Sequence, residues 1–405
     1  MKTVFFLNCT DSGSTGKIIR DIAFAAGEKE YRCVLCAPNI SNEDIPGLQK
    51  FKVSNRLLRA VFYRISKLTG NRYGMGIFTA RNVISKIRSN QADVVHIHCA
   101  NGHFINLYYL LRWLKKNKIP TMITNHAEFF YTGNCDHAYG CDRWMTGCGN
   151  CPRRYSKMDT TAKWWKKMRE CFADFPQLVV ISVSPWVLDR SSKSPIMENV
   201  AQKLVMNGVN TNVFRIYNTD DIWNRYGIKL NGKRAILYVT ACFFGDRPQK
   251  GSQYLLRLAE RMTDENVLFV VAGNHVPDVK VPDNVVLLGR VSNQNDLAAL
   301  YSAADLSLIT SERETFSMPV AESLCCGTPI VGFCAGGPES IAMPEYSEFV
   351  EFGDVEALQN VILQKWLQFK TPERSLQIEQ AAAERYSREK MAEQYLRIYQ
   401  KMTGA

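Results

Sequence analysis

Two glutamates eight residues apart have the chemistry to bind a polyhydroxylated ligand. Glu314 and Glu322 follow an apolar segment, 304–310, that predicts a short buried strand, and a helix stop with a second strand comes after them. Glu314 is therefore predicted in the loop at a strand's carboxyl end, and Glu322 on the helix that follows. Ligands bind at that edge of an open α/β sheet, where carboxylates can accept hydrogen bonds from sugar hydroxyls. The same positions also suit a general acid/base couple.

A basic pair stands at a comparable point further up the chain. Arg247 and Lys250 lie between a predicted strand, 234–239, and a predicted helix. A guanidinium fork and a compact ammonium could jointly neutralise a diphosphate. An exposed basic loop without a ligand is the alternative.

Two glycine loops complete the chemistry-bearing set. Gly13 and Gly16 follow the first predicted strand and open a helix, where the backbone can approach a phosphate. A Walker A loop is excluded, because Gly should stand at Asp11 in that motif. A plain tight turn remains the alternative. Gly336 and Gly337 repeat the pattern of glycines before a helix.

Four cysteines fall in one polar segment, residues 132–152. Their spacing is Cys-x5-Cys-x6-Cys-x2-Cys, and they are Cys135, Cys141, Cys148 and Cys151. Four thiolates, or three with His137, could hold a structural zinc and staple a loop too polar to have its own core. Reduced packing thiols and disulfides are the other two interpretations. Most of the remaining cysteines lie singly in apolar strands, where a thiol acts as a small hydrophobe.

The elements that must position these residues alternate between strand and helix. The predicted strands form two series: 3–7, 32–36, 94–98, 121–124 and 178–183, then 234–239, 267–272, 285–288, 306–310 and 329–333. Such alternation predicts parallel sheets, and two series predict two Rossmann-like doubly wound domains. We expect these domains at residues 1–195 and 196–385. Residues 386–405 are expected to form a C-terminal helix with one apolar stripe.

Composition and charge narrow the class of protein. The 405 residues are 46% hydrophobic and 22% charged, which is typical of a soluble globular chain. No apolar run approaches the roughly 18 residues of a spanning helix, and the first residues resemble a strand more than a signal peptide, so a cytoplasmic protein is expected. The net charge of +11 is uneven: residues 1–190 contain 28 Lys+Arg and 14 Asp+Glu. This half is expected to face an anionic membrane surface or nucleic acid, unless its lysines are simply solvated.

A membrane contact is the favoured form of that expectation. Residues 56–68 predict a helix with Arg56, Arg59, Arg64 and Lys67 on one side and leucine, valine and isoleucine on the other. Two aromatic-basic clusters, 112–116 and 163–169, add to it. An interfacial helix on anionic lipid has this composition. A core-facing apolar stripe with a solvated basic back is the alternative.

Taken in order, these motifs resemble the family-4 retaining glycosyltransferases of the GT-B fold. The residues that carry the resemblance are Gly13 and Gly16, His126 in Thr124-Asn-His-Ala-Glu128, Asn207-Gly-Val, Arg247 with Lys250-Gly251, Glu314 and Glu322, and Gly336-Gly337-Pro-Glu339. There are two departures. Thr240-Ala-Cys242 stands where the family usually has Gly-Arg, and Ala127-Glu128 replaces an aspartate after the histidine. The cysteine-rich segment is similar to that of an exopolysaccharide and capsule subset.

The resemblance implies a role for each residue. Two domains enclose a cleft; Arg247, Lys250 and the amide of Gly16 stabilise the leaving diphosphate, so that no metal or other cofactor is needed for the chemistry. Glu314 contacts the donor sugar, Glu322 the nucleotide ribose, and His126 approaches the donor from the other domain. Gly336 and Gly337 belong to the donor site, whereas His96 and His98 are expected to be structural.

The function expected from this set is transfer of a sugar from a nucleotide-diphosphate sugar to a glycan acceptor. We expect the acceptor to be lipid-linked, the product a surface polysaccharide, and the enzyme peripheral on the inner face of the cell membrane. An epimerase or a phosphorylase of the same fold is the alternative. A nucleic-acid-binding protein is the remote alternative. Only one Cys-x2-Cys is present, and this function would leave the ordered series of motifs unexplained.

Overall fold

Two compact units make up the chain. The structure, a computed structural model, describes residues 1–219, 221–245 and 248–404. The first unit comprises residues 1–206 and 389–405, and the second comprises residues 207–388. Each contains one parallel sheet, and most of its consecutive strands are joined through helices. The predicted fold class of two Rossmann-like doubly wound domains is confirmed.

The sheet of the first unit has seven strands, and every residue of 1–206 is described. In chain order they are β1 (Thr3–Leu7), β2 (Arg32–Ala37), β3 (Leu48–Lys52), β4 (Val94–Ile97), β5 (Thr121–Asn125), β6 (Leu178–Ser182) and β7 (Ala201–Leu204). Their order across the sheet is β3-β2-β1-β4-β5-β6-β7, with all neighbours parallel. The central strands are almost fully buried, as expected for a parallel sheet covered by other elements.

Helices connect most of these strands, whereas β2 leads to β3 without one. They are α1 (Gly13–Gly27), α2 (Arg56–Thr69), α3 (Ile77–Ser89), α4 (Leu107–Lys116), α5 (Phe129–Thr132), α6 (Thr161–Phe172) and α7 (Pro185–Ser192). Several begin at an N-cap of the usual chemistry. For example, the side chains of Asn55, Asn106 and Ser184 accept hydrogen bonds from the first turns of α2, α4 and α7.

The described residues of the second unit form a six-stranded parallel sheet. Its strands are β8 (Arg234–Phe243), β9 (Val267–His275), β10 (Val285–Gly289), β11 (Leu306–Ile309), β12 (Ile330–Phe333) and β13 (Ser347–Val350). Its helices are α8 (Ile222–Arg225), α9 (Ser252–Arg261), α10 (Gln294–Ala303), α11 (Met318–Cys325), α12 (Gly337–Ile341), α13 (Val355–Gln364) and α14 (Pro372–Tyr386). The strand order is β10-β9-β8-β11-β12-β13, so the chain changes direction across the sheet between β8 and β11.

The units divide at residue 206 and not at the predicted 195. Strand β7 lies beyond 195 and pairs with β6, which adds residues 201–204 to the first sheet. The last helix, α15 (Arg388–Thr403), begins at 388 where the sequence predicted 386. Its tyrosines, Tyr395 and Tyr399, are buried in the core of the first unit. No helix among the described residues combines the length and apolar character needed to cross a membrane.

Candidate functional site

Three loops of the second unit meet at the carboxyl edge of neighbouring strands. They follow β8, β11 and β12, which lie side by side in the sheet. The change of direction between β8 and β11 separates the loops after those two strands. Such a switch point is where open α/β sheets bind their ligands. The candidate site of the second unit is therefore at this edge.

Lys250 and Glu314 form an ion pair across the switch point. The ammonium of Lys250 contacts the Glu314 carboxylate, which also accepts a 2.9 Å hydrogen bond from the Ser311 hydroxyl. The Lys250 side chain is 25% exposed and that of Glu314 17%, so a ligand can still reach both. Buried hydroxyls hold the lysine backbone: Tyr238 donates to its carbonyl at 2.6 Å. The structure thus brings together two residues that the sequence assigned to separate loops.

The backbone of Glu314 is tied to the glycine loop after β12. Its amide donates to the Ala335 carbonyl at 3.0 Å, and its carbonyl accepts from the Gly337 amide at 2.9 Å. A Cβ at Gly337 would lie 2.5 Å from the Phe316 nitrogen, so only glycine allows this approach. The loop that contains Gly336 and Gly337 therefore fixes the backbone of Glu314 by two hydrogen bonds.

Glu339, the last residue of that motif, has a local structural role. Its two carboxylate oxygens accept from the amides of Ala335 and Gly336 at 2.9 and 2.7 Å. The positive end of the α12 helix dipole also stabilises a carboxylate at the start of that helix. The side chain thus fixes the loop that carries Gly336.

Glu322 lies on α11, one turn beyond the helix start, and is half-buried. The hydroxyl of the buried Tyr301 lies 3.4 Å from its carboxylate. Burial raises the pKa of Tyr301 well above its usual value, and the charge of Glu322 adds to that rise. Tyr301 therefore keeps its proton and acts as a donor to Glu322.

The other predicted basic residue, Arg247, lies outside the described residues. Its position relative to Lys250 stays a prediction.

A pocket at the same edge was not predicted from the sequence. It has a volume of about 310 Å³ and lies at the ends of β8, β9 and β10, with Thr240, Gly273, Asn274 and Arg290 in its lining. Gly273 is required there, because an added Cβ would lie 2.0 Å from the Thr240 carbonyl oxygen. The pocket could have been predicted from the positions of Asn274 and Arg290, which stand at or just past the carboxyl ends of their strands.

The glycine loop of the first unit is built around Asp11. This carboxylate, 2% exposed, accepts from the Ser41 hydroxyl at 2.7 Å and from the Lys50 ammonium at 2.9 Å. Burial acts to raise the pKa of Asp11, but the bonds from Ser41 and Lys50 outweigh it and lower that pKa. A Cβ at Gly16 would lie 2.5 Å from the Asp11 carbonyl carbon. Gly16 therefore has a packing role one turn inside α1, while Gly13 stands exposed at its start.

His126 follows β5 and is half-buried. Its Nε2 lies 2.9 Å from Nδ1 of His98, and the two rings are stacked. Burial lowers the pKa of His126 to about 3 and that of His98 well below its usual value. Both rings are therefore uncharged at neutral pH and act through hydrogen bonds.

The contact between His98 and His126 was missed in the sequence. Its signal was the alternation of His96 and His98, which sets both on one face of β4 next to β5. His96 is structural as expected: it lies 2.6 Å from the Tyr399 hydroxyl and 2.8 Å from that of Thr124.

The cysteine-rich segment contains a buried aromatic side chain that packs against its neighbours, whereas the sequence predicted only a polar loop without a core. Trp144 is 1% exposed and donates to the Cys141 carbonyl at 2.8 Å. The carboxylate of Glu128, fully buried, accepts from the Ala138 amide at 3.1 Å and pairs with Arg190 at 3.2 Å. Glu128, one of the family departures, thus anchors the segment to α7.

All four cysteines of the segment are described and carry free thiols, so the disulfide interpretation is wrong for this structure. Burial, and then the neighbouring thiols, raise the pKa of Cys135 and of Cys148 to about 12. Thiolates are ligands that zinc prefers, but the described residues contain no group of three or more His, Cys, Asp or Glu arranged to hold a metal. The zinc site stays a prediction.

Helix α2 turns its apolar side outward. Across its fourteen residues, all of them described, only Ser66 is buried, while Leu57 is 77% and Leu68 70% exposed. The alternative of a core-facing stripe is therefore wrong. Arg59, predicted on the exposed basic side, instead faces inward and donates to the Gly102 carbonyl at 3.1 Å.

A polar seam holds this inverted helix on the protein. The Ser66 hydroxyl lies 3.2 Å from Nδ1 of His103, whose Nε2 lies 3.3 Å from the Tyr155 hydroxyl. Thr160 donates to the Thr69 carbonyl at 3.1 Å. Tyr155 and Thr160 lie between the cysteine-rich segment and α6, so this connecting stretch supports α2. The aromatic-basic cluster 163–169 differs, since Trp164 and Trp165 of α6 are buried.

Residues 229–385 match the family model described as "Glycosyl transferases group 1". That stretch lies in the second unit and contains the three loops of the candidate site. The match supports the family inferred from the motifs.

Two curated relatives extend the comparison. N-acetyl-alpha-D-glucosaminyl L-malate synthase of Bacillus anthracis is 30% identical over 127 residues, 31% of this chain and 32% of that protein. The chain thus aligns with about a third of that relative's length. The putative colanic acid biosynthesis glycosyl transferase WcaC of Escherichia coli (strain K12) is 22% identical over 327 residues, 76% of each chain.

Solved structures share the fold. Sucrose-phosphate synthase from Thermosynechococcus elongatus has a TM-score of 0.70 at 16% identity and covers 100% of both chains. HepE from Anabaena in complex with UDP has a TM-score of 0.66 at 15% identity, over 99% of this chain and 100% of that one. At identities this low, the structural similarity shows the fold of the chain and nothing more.

Proposed function

We propose that this protein transfers a sugar from a nucleotide-diphosphate sugar to a glycan acceptor, with retention of configuration at the transferred carbon. The Lys250–Glu314 ion pair at the switch point carries the proposal. Retention is inferred from the motif resemblance. The similarity to glycosyl transferases over residues 229–385 supports the reaction class.

The charges at the switch point suit a departing diphosphate. As the bond to the sugar breaks, negative charge builds on the leaving phosphate, and fixed positive charge there gives the largest stabilisation. Lys250 supplies one ammonium without any metal, and Arg247 is proposed as a second cation. No cofactor besides the donor substrate is required by this chemistry.

Glu314 gains a second role when the donor arrives. A diphosphate carries more charge than one carboxylate, so it competes for the Lys250 ammonium. The Glu314 carboxylate is then released to accept hydrogen bonds from the donor sugar, while Ala335 and Gly337 hold its backbone. The ion pair thus keeps both groups in place before the substrate binds.

The remaining site residues receive more limited roles. Glu322 is proposed to bind the ribose, with Tyr301 fixing its carboxylate, and the pocket beside Arg290 to accept the base. UDP is the first nucleotide to try, since it is the ligand named for HepE. In the first unit, Gly13 opens a helix whose first-turn amides can face an anion. His126 is proposed as an uncharged hydrogen-bonding group of the reaction.

A titration with UDP tests the proposal. Lys250→Met should weaken UDP binding about 10- to 100-fold, the value of one charge-assisted hydrogen bond. Lys365→Met is the matched control, because Lys365 pairs with Glu348 at 3.1 Å on the sheet's edge strand, away from the switch point. The assignment would be overturned if the two variants bound UDP with equal affinity, or if calorimetric titration detected no binding of any nucleotide. Initial rates with donor and acceptor should be unchanged by added Mg²⁺ or brief exposure to a chelator.

A lipid-linked acceptor on an anionic membrane is proposed for the first unit. Helix α2 presents Leu57 and Leu68 beside Arg56, Arg64 and Lys67, which suits insertion between anionic headgroups. The protein would then be peripheral on the inner face of the cell membrane and act in surface polysaccharide synthesis. The similarity to WcaC supports that pathway class.

Flotation with vesicles of anionic and of neutral lipid tests the membrane contact. The double variant Leu57→Ser/Leu68→Ser should lose binding to anionic vesicles. Phe24→Ser is the control, since Phe24 is an apolar residue 63% exposed on α1, and it should bind like the unaltered protein. Equal binding to neutral and anionic vesicles would contradict the electrostatic part of the proposal.

A structural zinc on the cysteine-rich segment is proposed separately. Cys135, Cys141, Cys148 and Cys151 supply the donor types, and the stretch that follows the segment supports α2 through Tyr155 and Thr160. Metal analysis of the purified protein should give one zinc per chain, lost on Cys148→Ser. Zinc absent from protein purified without chelator would leave the four thiols as packing groups.

A further inference from the structure

Two cysteines meet at the carboxyl edge of the first sheet. Cys9 and Cys99 follow β1 and β4, which are paired in parallel with Leu7 opposite Ile97. The last ladder bond runs from the His98 amide to the Leu7 carbonyl at 2.9 Å, and the Cys99 amide then donates to the Asn8 side chain at 3.0 Å. Extending the strand register by two residues places Cys9 next to Cys99 on one face of the sheet. Each thiol perturbs the pKa of the other, lowering that of Cys9 and raising that of Cys99.

This spacing suits a disulfide. Neighbouring strands lie about 4.8 Å apart, and disulfides join Cα atoms separated by about 4.4–6.8 Å. The two thiols can therefore be linked without separating β1 from β4. Neither has a role in the sugar transfer proposed above.

Cys9 is the more reactive thiol of the pair. It is half-buried, whereas Cys99 is 8% exposed. The hydrogen bond from Cys99 lowers the pKa of Cys9, and the Arg59 guanidinium adds to this effect against the opposing effect of burial. Burial raises the pKa of Cys33 and of Cys36 to about 12, so those thiols are poor nucleophiles.

We propose that Cys9 and Cys99 form a thiol–disulfide exchange site for small-molecule disulfides. The Cys9 thiolate attacks one sulfur of the reagent, and the reagent's other half leaves as a thiolate that takes up a proton. Cys99 then gives up its proton to solvent, and its sulfur displaces the second half from Cys9, which leaves as a thiolate and is protonated. The protein loses two electrons and two protons to form one disulfide, and the reagent disulfide is reduced to two thiols.

The exchange affects the glycine loop beside it. Thr15 in the first turn of α1 lowers the pKa of Cys99 and accepts a hydrogen bond from the Asn8 side chain at 3.1 Å. A bond to Cys9 would draw the Cys99 sulfur away from Thr15. The disulfide would also lie next to His98 in the chain, and His98 contacts His126. On the proposed function, oxidation should lower transfer while UDP binding in the second unit is unchanged.

Oxidised glutathione is the probe for the test. The reduced full-length protein is exposed to it, free thiols are alkylated, and the digest is searched for a Cys9–Cys99 cross-link lighter by two hydrogen atoms. We expect this cross-link to be the first disulfide formed and to be reversed by dithiothreitol. Cys99→Ser should stop at a glutathione adduct on Cys9, and Cys33→Ser should react like the unaltered protein.

Two results would overturn the proposal. One is a first disulfide among the cysteines of residues 132–152 with Cys9 and Cys99 still reduced. The other is a stable adduct on Cys9 in the unaltered protein without a cross-link. Both concern the thiols alone, so they are distinguishable from failure of the transferase proposal, which the UDP titration reports. Matching melting curves for the variants would exclude unfolding as the cause.

Discussion

Replacing Gly251 by alanine tests whether the loop after β8 must lie close to β11. Gly251 has a φ of +78°, and an added Cβ would lie 1.9 Å from the Thr310 carbonyl oxygen. Real Cβ atoms essentially never come within 3.0 Å of such an atom, so the two loops must separate by about 1 Å. That movement would displace the neighbouring Lys250 from Glu314.

The energetic cost has two parts. An alanine in the left-handed region costs about 1–2 kcal/mol wherever it stands. Separation also stretches the bonds that join the loops, including Thr310 to the Gly251 carbonyl at 2.9 Å and Glu312 to the Gln249 carbonyl at 2.7 Å. Loss of two such bonds costs about 1–3 kcal/mol. Gly232→Ala isolates the first part, since Gly232 has a φ of +81° and nothing within 4 Å of the added atom.

Hydrogen–deuterium exchange of the peptide spanning 306–316 measures the difference. Local opening easier by about 1–3 kcal/mol speeds exchange about 5- to 150-fold, and we expect this in Gly251→Ala and not in Gly232→Ala. UDP binding should weaken in Gly251→Ala alone. If the two variants exchange at the same rate over 306–316, the close approach of the loops does not contribute to the site.

Three further outcomes are expected. Glu314→Gln should lower kcat about 100-fold or more without weakening UDP binding, whereas Glu322→Ala should weaken UDP binding about 10- to 100-fold; the reverse pattern would exchange their roles. Cys148→Ser combined with Cys151→Ser should reduce transfer to the acceptor before donor hydrolysis, and equal loss of both would indicate unfolding. The pKa of Asp11 is lower in the folded chain, so its carboxylate stabilises the fold fully above the ordinary value near 3.9. That stability is lost as the pH falls towards the lowered pKa. The difference in urea midpoint between the protein and Asp11→Asn should therefore be constant above about pH 5 and shrink below about pH 4, and a difference that does not change with pH would mean that Asp11 titrates normally.

The buried strands were predictable because their residues carry the signal themselves. Nearly continuous apolar runs such as β1 and β12 are typical of strands that are covered on both faces. The strands missed by the sequence, β3, β7 and β13, all lie at sheet edges. An edge strand is partly solvated and mixes polar with apolar residues, as in the Leu-Gln-Lys-Phe-Lys of β3, so it has no such run. The domain boundary was set too early because β7 was missed.

The motifs likewise predicted where the loops of the site lie in the chain, but not which residues of those loops contact each other. Glu314 and Lys250 were correctly assigned to the ends of their strands, since strand and helix follow from adjacent residues. The ion pair joins residues 64 positions apart, and it exists because β8 and β11 are neighbours in the sheet. Gly16 shows the converse: its sequence context suggested a phosphate, and its packing against Asp11 became visible only in the fold.

The sequence by itself determined the alternation of elements, the two sheets and the order of the chemistry-bearing loops, because hydrophobic periodicity is a local property. Tertiary structure decided which of those residues meet: His98 with His126, and Cys9 with Cys99. It also decided which way α2 faces. An amphipathic pattern specifies that a helix has two sides, but the partners of Arg59 and Ser66 are distant in the chain, and their hydrogen bonds turn the apolar side of the helix to solvent.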